Sequence, residues 1–259
     1  GHVKKFTYNV NAQLESIVNP DNSTIKYDYD KLNQLIEKSY DDDDVQAMYG
    51  YDADGNRISM DDVAGTTDYD YDAAGRIIAV NLADGKSAIK YSYDEYGNLK
   101  ELTYPDKTSV KYAYDTLDRL VKITDRDGKV TTYEYDATGN VVKVNRPNNT
   151  YTDITYDALG NVTSVKNMRK TTNIFKKVTL TEISSFSYTY DLSGLITSEK
   201  SSQDDKVIER VYTYDARAQL AGVAEKLSTD CGKTWEISKK EYTYDNAGNR
   251  IKEVATHGT

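Results

Sequence analysis

The sequence predicts an all-β fold of tandem antiparallel β-hairpins, and three observations predict it. A tyrosine-rich motif recurs along the whole chain, the residues before it alternate apolar with polar, and turn-forming residues follow every copy. Aligned on its second tyrosine, the motif falls at Tyr8, Tyr29, Tyr51, Tyr71, Tyr93, Tyr114, Tyr135, Tyr156, Tyr190, Tyr214 and Tyr244, at spacings of 21, 22, 20, 22, 21, 21, 21, 34, 24 and 30. These eleven copies leave little of the 259 residues outside the repeat, and 20 of the 24 tyrosines occupy its two Tyr positions. The expected organisation is therefore one repeat array over residues 1–259, interrupted by insertions near 167–185 and 225–240.

The first element of each unit is a strand. In VKYAYD, Val110, Tyr112 and Tyr114 alternate with polar or small residues and so share one face, as do Ile25, Tyr27 and Tyr29, and Ile89, Tyr91 and Tyr93. The second element is a turn. Asp at its first position can accept from backbone N–H groups two residues on, and Gly at its fourth tolerates the left-handed conformation that closes a bulged hairpin. Asp136-Ala137-Thr138-Gly139 fits this pattern. Asn33 and Asp118 replace the Gly in two copies, which suits the next most tolerant residue types. Ala12 and Ala218 fit poorly, and those two hairpins are expected to use another turn. A second short strand follows (Leu99 with Leu102, Leu120 with Ile123, Val141 with Val144), and then a second turn such as YPDK, RDGK or RPNN.

The residues assigned to this repeat are Tyr29 and Asp30; Tyr51, Asp52 and Gly55; Tyr71, Asp72 and Gly75; Tyr93, Asp94 and Gly97; Tyr114 and Asp115; Tyr135, Asp136 and Gly139; Tyr156, Asp157 and Gly160; Tyr190, Asp191 and Gly194; Tyr214 and Asp215; Tyr244, Asp245 and Gly248. A single hairpin is marginal in water, so each must bury its Tyr-bearing face against its neighbours. Tyrosine suits a partly wet sheet because its ring buries a large area while its hydroxyl keeps a polar partner. At 38% hydrophobic content, the chain is also long enough to bury a core.

Composition narrows the function. A net charge of −9 disfavours nucleic acid as a partner. The basic run KNMRKTTNIFKK, Lys166 to Lys177, reads as a solvated loop. Cys231 is the one cysteine, which excludes an intrachain disulfide and a Cys-rich metal site. No run approaches the roughly 18 apolar residues that cross a bilayer, so no membrane span is expected. The opening GHVKK, without Met or apolar leader, reads as the start of a piece of a longer chain. His2 and His257 are the only histidines and are expected in frayed ends, which argues against Ser-His-Asp triads and His-based zinc sites. Ten of the 42 acids are the motif Asp with a turn role. The run Asp41 to Asp44, and the segments DADGN at Asp52 and DRDGK at Asp125, read as solvated turns, none extending into a full calcium loop closed by Glu. No catalytic residue, cofactor or metal is assigned.

The insertions are singular. The first adds about 13 residues between Asn167 and Ser185 and reads as a longer hairpin or an extra edge strand, with a partner-docking loop as the alternative. The second contains Ser228, Asp230, Gly232, Thr234 and Trp235 in the pattern S-x-D-x-G-x-T-W, similar to the Asp-box of sialidases and other β-proteins. That likeness implies a hairpin turn held by Asp with an aromatic beneath it. Trp235 is also the candidate for a ligand contact, stacking on a sugar.

The motif Y-x-Y-D-x-x-G-[NR]-[LIV], near 21-residue spacing and over nearly the whole chain, resembles the YD repeat of RHS-type proteins. The resemblance implies one continuous antiparallel sheet that curves or spirals into a hollow shell, as in bacterial toxins, wall-associated surface proteins and teneurins, and a secreted or cell-surface location. In the toxins such shells enclose a C-terminal cargo released by a self-cleaving aspartyl protease motif. The Pro-rich release signature does not occur around Pro20, Pro105 or Pro147, and no cargo domain is expected within these 259 residues. The expectation is thus an open shell segment: a non-enzymatic structural module of a larger exported protein that encloses or displays a cargo or toxin domain. Its partners would be the remainder of that protein or its cargo. The alternative is a carbohydrate-binding surface module with a cell-surface glycan as partner, and a glycoside hydrolase ranks last. A four-stranded-blade β-propeller, two repeats per blade, is the competing fold.

Overall fold

The computed structural model describes residues 3–41 and 44–258; Asp42 and Asp43 of the acidic run, and His2, lie outside the described residues. All regular structure is β, in 22 strands, and no helix occurs among the described residues. The chain divides into two compact units, Gly1–Arg119 with Thr124–Asp127, and Leu120–Ile123 with Gly128–Thr259.

The first unit holds β1 (Lys5–Tyr8), β2 (Leu14–Val18), β3 (Thr24–Tyr29), β4 (Leu35–Tyr40), β5 (Asp44–Tyr51), β6 (Arg57–Asp62), β7 (Gly65–Tyr71), β8 (Ile77–Asn81), β9 (Ala88–Tyr93), β10 (Leu99–Thr103) and β11 (Ser109–Tyr114). Each strand pairs antiparallel with the next, a meander from β1 to β11. The second unit takes Leu120–Ile123 of β12 (Leu120–Thr124), then β13 (Val130–Tyr135), β14 (Val141–Asn145), β15 (Thr150–Tyr156), β16 (Val162–Thr172), β17 (Val178–Tyr190), β18 (Ile196–Gln203), β19 (Lys206–Tyr214), β20 (Leu220–Ser228), β21 (Glu236–Tyr244) and β22 (Arg250–Gly258). From β13 to β22 the pairing is again sequential and antiparallel. Each run is open, because β1 pairs only with β2 and β22 only with β21 among the described residues. Runs of this length exclude a propeller, whose blades end in an unpaired edge after four strands.

Within each strand the alternation of the sequence becomes an alternation of exposure. In β11, Val110, Tyr112 and Tyr114 are half-buried while Lys111 and Ala113 are exposed. Across the hairpin, Tyr133 stands opposite Val144 and Tyr135 opposite Val141, with a bulge between Glu134 and Tyr135. The bulge is the extra residue that a left-handed turn position inserts.

The expected buried core is not there. Only Ala47 and Ala79 are buried hydrophobics among the described residues, and the buried polar side chains are small: Ser39, Thr152, Ser184 and Ser228, the last of them fully enclosed. Side chains here are shielded chiefly by their neighbours on adjacent strands, so they reach partial burial and stop. That arrangement favours tyrosine over leucine, since a half-wet ring still keeps its hydroxyl bonded.

The insertions lengthen existing strands. β16 and β17 run 11 and 13 residues against 5 to 7 in β8 to β15. The basic run expected as a loop is therefore mainly strand, Lys166 to Thr172 lying in β16 and only Asn173–Lys177 forming the turn. His257 is likewise in a strand, paired with Ser238, rather than in a frayed end.

Candidate functional site

The repeated YD turn has a fixed geometry, shown by the Asp136 copy. The Asp136 N–H donates to Asn140 O at 2.9 Å and the Gly139 N–H to Asp136 O at 3.2 Å, closing a type I turn with a bulge. Asp136 Oδ1 accepts from the backbone N–H of Thr138 and of Asn140, both at 2.9 Å, and from the Thr138 hydroxyl at 2.8 Å. Its Oδ2 accepts from Asn140 Nδ2 at 3.1 Å. The Thr138 hydroxyl first, then the Asn140 amides, hold the Asp136 carboxyl down at about 2.

The pattern recurs with local variations. Asp52, Asp94, Asp157 and Asp245 take an Asn side chain on the second oxygen. Asp72 and Asp115 take an Arg: Arg76 and Arg119 each place a guanidinium 2.7 Å from the carboxylate. Arg76 also lies over the ring of Tyr93 in the following hairpin, 4.4 Å from its centroid. Asp30, Asp191 and Asp215 keep the two backbone bonds.

Ala12 and Ala218 do not use another turn. Both sit at positive φ, 60° and 61°, and both hairpins close with the same two backbone bonds as the others. The turn is held by Asn9 and Asp215 at its first position and by the strands on either side, and these outweigh the roughly 1 to 2 kcal/mol that a Cβ costs there. Asn33 and Asp118 occupy the same position at φ 66° and 57°.

The second tyrosine of the motif has a partner that the sequence does not announce. In ten copies its hydroxyl donates to the backbone carbonyl opening the second strand of the preceding hairpin, at 2.7 to 3.0 Å: Tyr29 to Leu14, Tyr51 to Leu35, Tyr71 to Arg57, Tyr93 to Ile77, Tyr114 to Leu99, Tyr135 to Leu120, Tyr156 to Val141, Tyr190 to Val162, Tyr214 to Ile196 and Tyr244 to Leu220. The reason lies in the ladder. Between β10 and β11 it stops at Glu101–Lys111, two residues short of Leu99, so on that side Leu99 lies beyond the ladder and the Tyr114 hydroxyl reaches its carbonyl instead. Each such tyrosine therefore pins its own hairpin to the one before.

The Asp-box segment forms a turn of a different kind between β20 and β21. Asp230 Oδ1 accepts from the N–H groups of Lys233 and Thr234 at 2.9 and 2.8 Å and from the Ser228 hydroxyl at 2.7 Å, and Oδ2 accepts from the Thr234 hydroxyl at 2.6 Å. The Thr234 hydroxyl and N–H hold this carboxyl far below the usual range. Ser228, 1% exposed, accepts the Gly232 N–H at 2.8 Å. Trp235 is half-buried beneath the turn: a Cβ on Gly232 would lie 3.4 Å from Trp235 Cζ2. Cys231 is tied to the β18–β19 turn, its N–H donating to Asp205 O at 2.8 Å and its thiol to Asp205 Oδ1 at 3.1 Å, which pushes the thiol pKa up.

One polar cluster went unread in the sequence. Glu199, Arg210 and Glu225 stand directly opposite one another on β18, β19 and β20, with Arg210 bonded to Glu225 at 2.7 Å and to Glu199 at 3.2 Å. The Tyr212 hydroxyl donates to Glu199 at 2.8 Å; burial, then this bond, pushes its pKa up to about 12. The signal was available: folding the chain about Asp204-Asp205 brings 199 opposite 210. Its carboxylates are committed to Arg210 and Tyr212.

Chemically, these sites hold structure. The motif carboxylates are spent on their own turns. Asp125 accepts the Asp127 N–H at 3.0 Å, and Asp41 accepts the Thr24 N–H at 2.5 Å. Among the described residues no group of three or more His, Cys, Asp or Glu side chains is placed to hold a metal ion. No helix is long and apolar enough to cross a membrane, which says nothing of strands.

Comparison with known proteins follows the same line. The RHS Repeat family model matches residues 51–88, 71–109 and 114–151. No curated protein matches the sequence. Among solved structures, the chain is similar to the TcdB2-TccC3 complex, at TM-score 0.68 and 16% identity over 98% of this chain and 15% of that one. It is also similar to the Photorhabdus luminescens Tc holotoxin pore carrying TccC3-D651A, at TM-score 0.67 and 16% identity, and to TcdB2-TccC3-TEV, at 0.66 and 15%, each again over 98% and 15%. The chain spans about 15% of the length of these relatives, so the likeness is one of fold over a short part of each. Repeated family-model matches within residues 51–151, the eleven-fold motif and the shared fold together identify RHS/YD repeats in this chain.

Proposed function

We propose that this chain is a non-enzymatic structural module, a wall segment of a larger exported RHS/YD-repeat shell whose work is to enclose or display a cargo domain. One observation carries the reading. The acidic and aromatic residues most suggestive of chemistry are spent on architecture: the motif Asp on its own turn and the motif Tyr on the preceding hairpin. The array is read as single because the 21-residue spacing runs unchanged through residues 114 to 156, across the division between the two units. The Tc complexes that share the fold support a shell within a larger assembly. Its partners are then the rest of the parent protein or its cargo, in a secreted or cell-surface setting.

Limited proteolysis of the intact parent protein tests this. A downstream domain protected until the repeat region is cut is the expected result, and equal cleavage with and without the repeats would end the enclosure reading. The carbohydrate-binding alternative has weaker support, since Trp235 is packed beneath its own turn. Binding on a glycan array that is lost on Trp235→Ala would revive it.

A further inference from the structure

The hairpin β16–β17 reaches past both of its neighbours. The ladder with β15 ends at Thr150–Arg169 and the ladder with β18 begins at Ser184–Gln203, while β16 and β17 continue to pair out to Thr172–Val178. Among the described residues nothing flanks the outer side of Val178–Glu182. A two-stranded ribbon is marginal in water on its own, and an open apolar strand edge is a template for another strand. This one is apolar where it projects: Ile174 is 90% exposed, Phe175 82%, Leu180 54% and Val178 47%.

We propose that this edge is an interaction surface for a second copy of the chain, the two β17 ends pairing antiparallel about Leu180. The inference goes beyond the shell reading and does not depend on it. Its warrant is self-complementarity. In V-T-L-T-E, a two-fold centred on Leu180 sets Leu180 against the partner's Leu180, Thr179 against the partner's Thr181, and Val178 against the partner's Glu182. Like pairs of apolar and of threonine side chains across strands stabilise a sheet. Charge fixes the same direction. The tip carries Lys176 and Lys177 and the far end carries Glu182, so antiparallel pairing brings each basic tip beside the partner's acid. A parallel arrangement would align like with like. An anionic lipid surface suits the lysines and Phe175 but not Glu182 or a chain of net charge −9.

The test is sedimentation velocity of the full chain across a concentration series, with circular dichroism to check the fold. The expected result is a reversible dimer, weakened at least about tenfold by Leu180→Lys, which sets like charges opposite each other. Persistent monomer at the highest concentration, or a dimer indifferent to Leu180→Lys, overturns the proposal. A second measurement covers a folding defect in that variant. In a Cys231→Ser background, Leu180→Cys should form an intermolecular disulfide on mild oxidation and Thr172→Cys, on the other strand, should not. The reverse pattern, or no disulfide in either, also overturns it. Monomer that floats with phosphatidylglycerol vesicles, and loses this on Phe175→Ser, would assign the tip to lipid instead.

Discussion

Two turns of the second unit, at Asp136 and at Asp230, solve one problem with different margins. Each uses a carboxylate to collect backbone N–H groups that the strands leave behind. The Asp136 turn is one of a series, short and solvated, and its hairpin is held independently by the Tyr135 hydroxyl. The Asp230 turn is singular and longer, and it draws in an enclosed Ser228, a packed Trp235 and a tie from Cys231 to Asp205. The difference teaches that repetition replaces local strength. A copy supported on both sides tolerates a plain turn, whereas a unique turn between long strands has to be built from its own side chains.

The comparison breaks hardest at backbone. Gly139 has φ +94°, past the left-handed well, and a Cβ added there would meet no atom within 4 Å, so conformation alone requires glycine. Gly139→Val should cost on the order of 3 kcal/mol and open the β13–β14 hairpin first, visible as local loss of hydrogen-exchange protection. Ser228→Ala comes next. It strands the Gly232 N–H beneath the Asp-box turn, for about 1–3 kcal/mol, and should raise exchange at Gly232 to Thr234 without touching the YD turns. Tyr135→Phe removes one hydroxyl bond to Leu120 and should cost about 1 kcal/mol in a denaturant midpoint, the gap in the ladder remaining open.

Acid should act on both turns. The folded pKa of Asp136, about 2, lies below its ordinary 3.8, so its contribution is complete above pH 4 and is lost as pH falls through about 2. Asp230, held lower, should retain its turn to more acidic pH than Asp136 does, which exchange at Thr234 against Asn140 can follow. The smallest effect is expected for Asp136→Asn. Asn9 already makes this turn in the first copy, accepting the N–H groups of Asn11 and Gln13 at 3.0 Å, so stability at neutral pH should be nearly unchanged and the acid sensitivity of that hairpin should disappear. A large loss at neutral pH would mean that the charge, and not the shape, of Asp136 matters.

What could be read in advance follows from how far each interaction reaches along the chain. The YD turn closes within five residues, from Asp136 to Asn140, so its donors, acceptors and positive-φ position are all visible in a short string. Asn33 and Asp118 were legible for that reason. Ala12 and Ala218 were misjudged because residue preference at one position was set against a turn that the flanking strands had already decided. The missing core has a similar cause: alternation says which residues share a face, but not whether anything packs on it.

The sequence by itself determined the repeat, the two-strand, two-turn unit and the carboxylate chemistry of each turn, because these rest on neighbours within a few residues. Only the tertiary structure decided where each tyrosine hydroxyl goes, that Glu199, Arg210 and Glu225 align across three strands, and that the tip of β16–β17 stands without flanking strands. Those facts depend on register and on where neighbouring ladders stop, and both are settled by strands pairing with their neighbours within each unit.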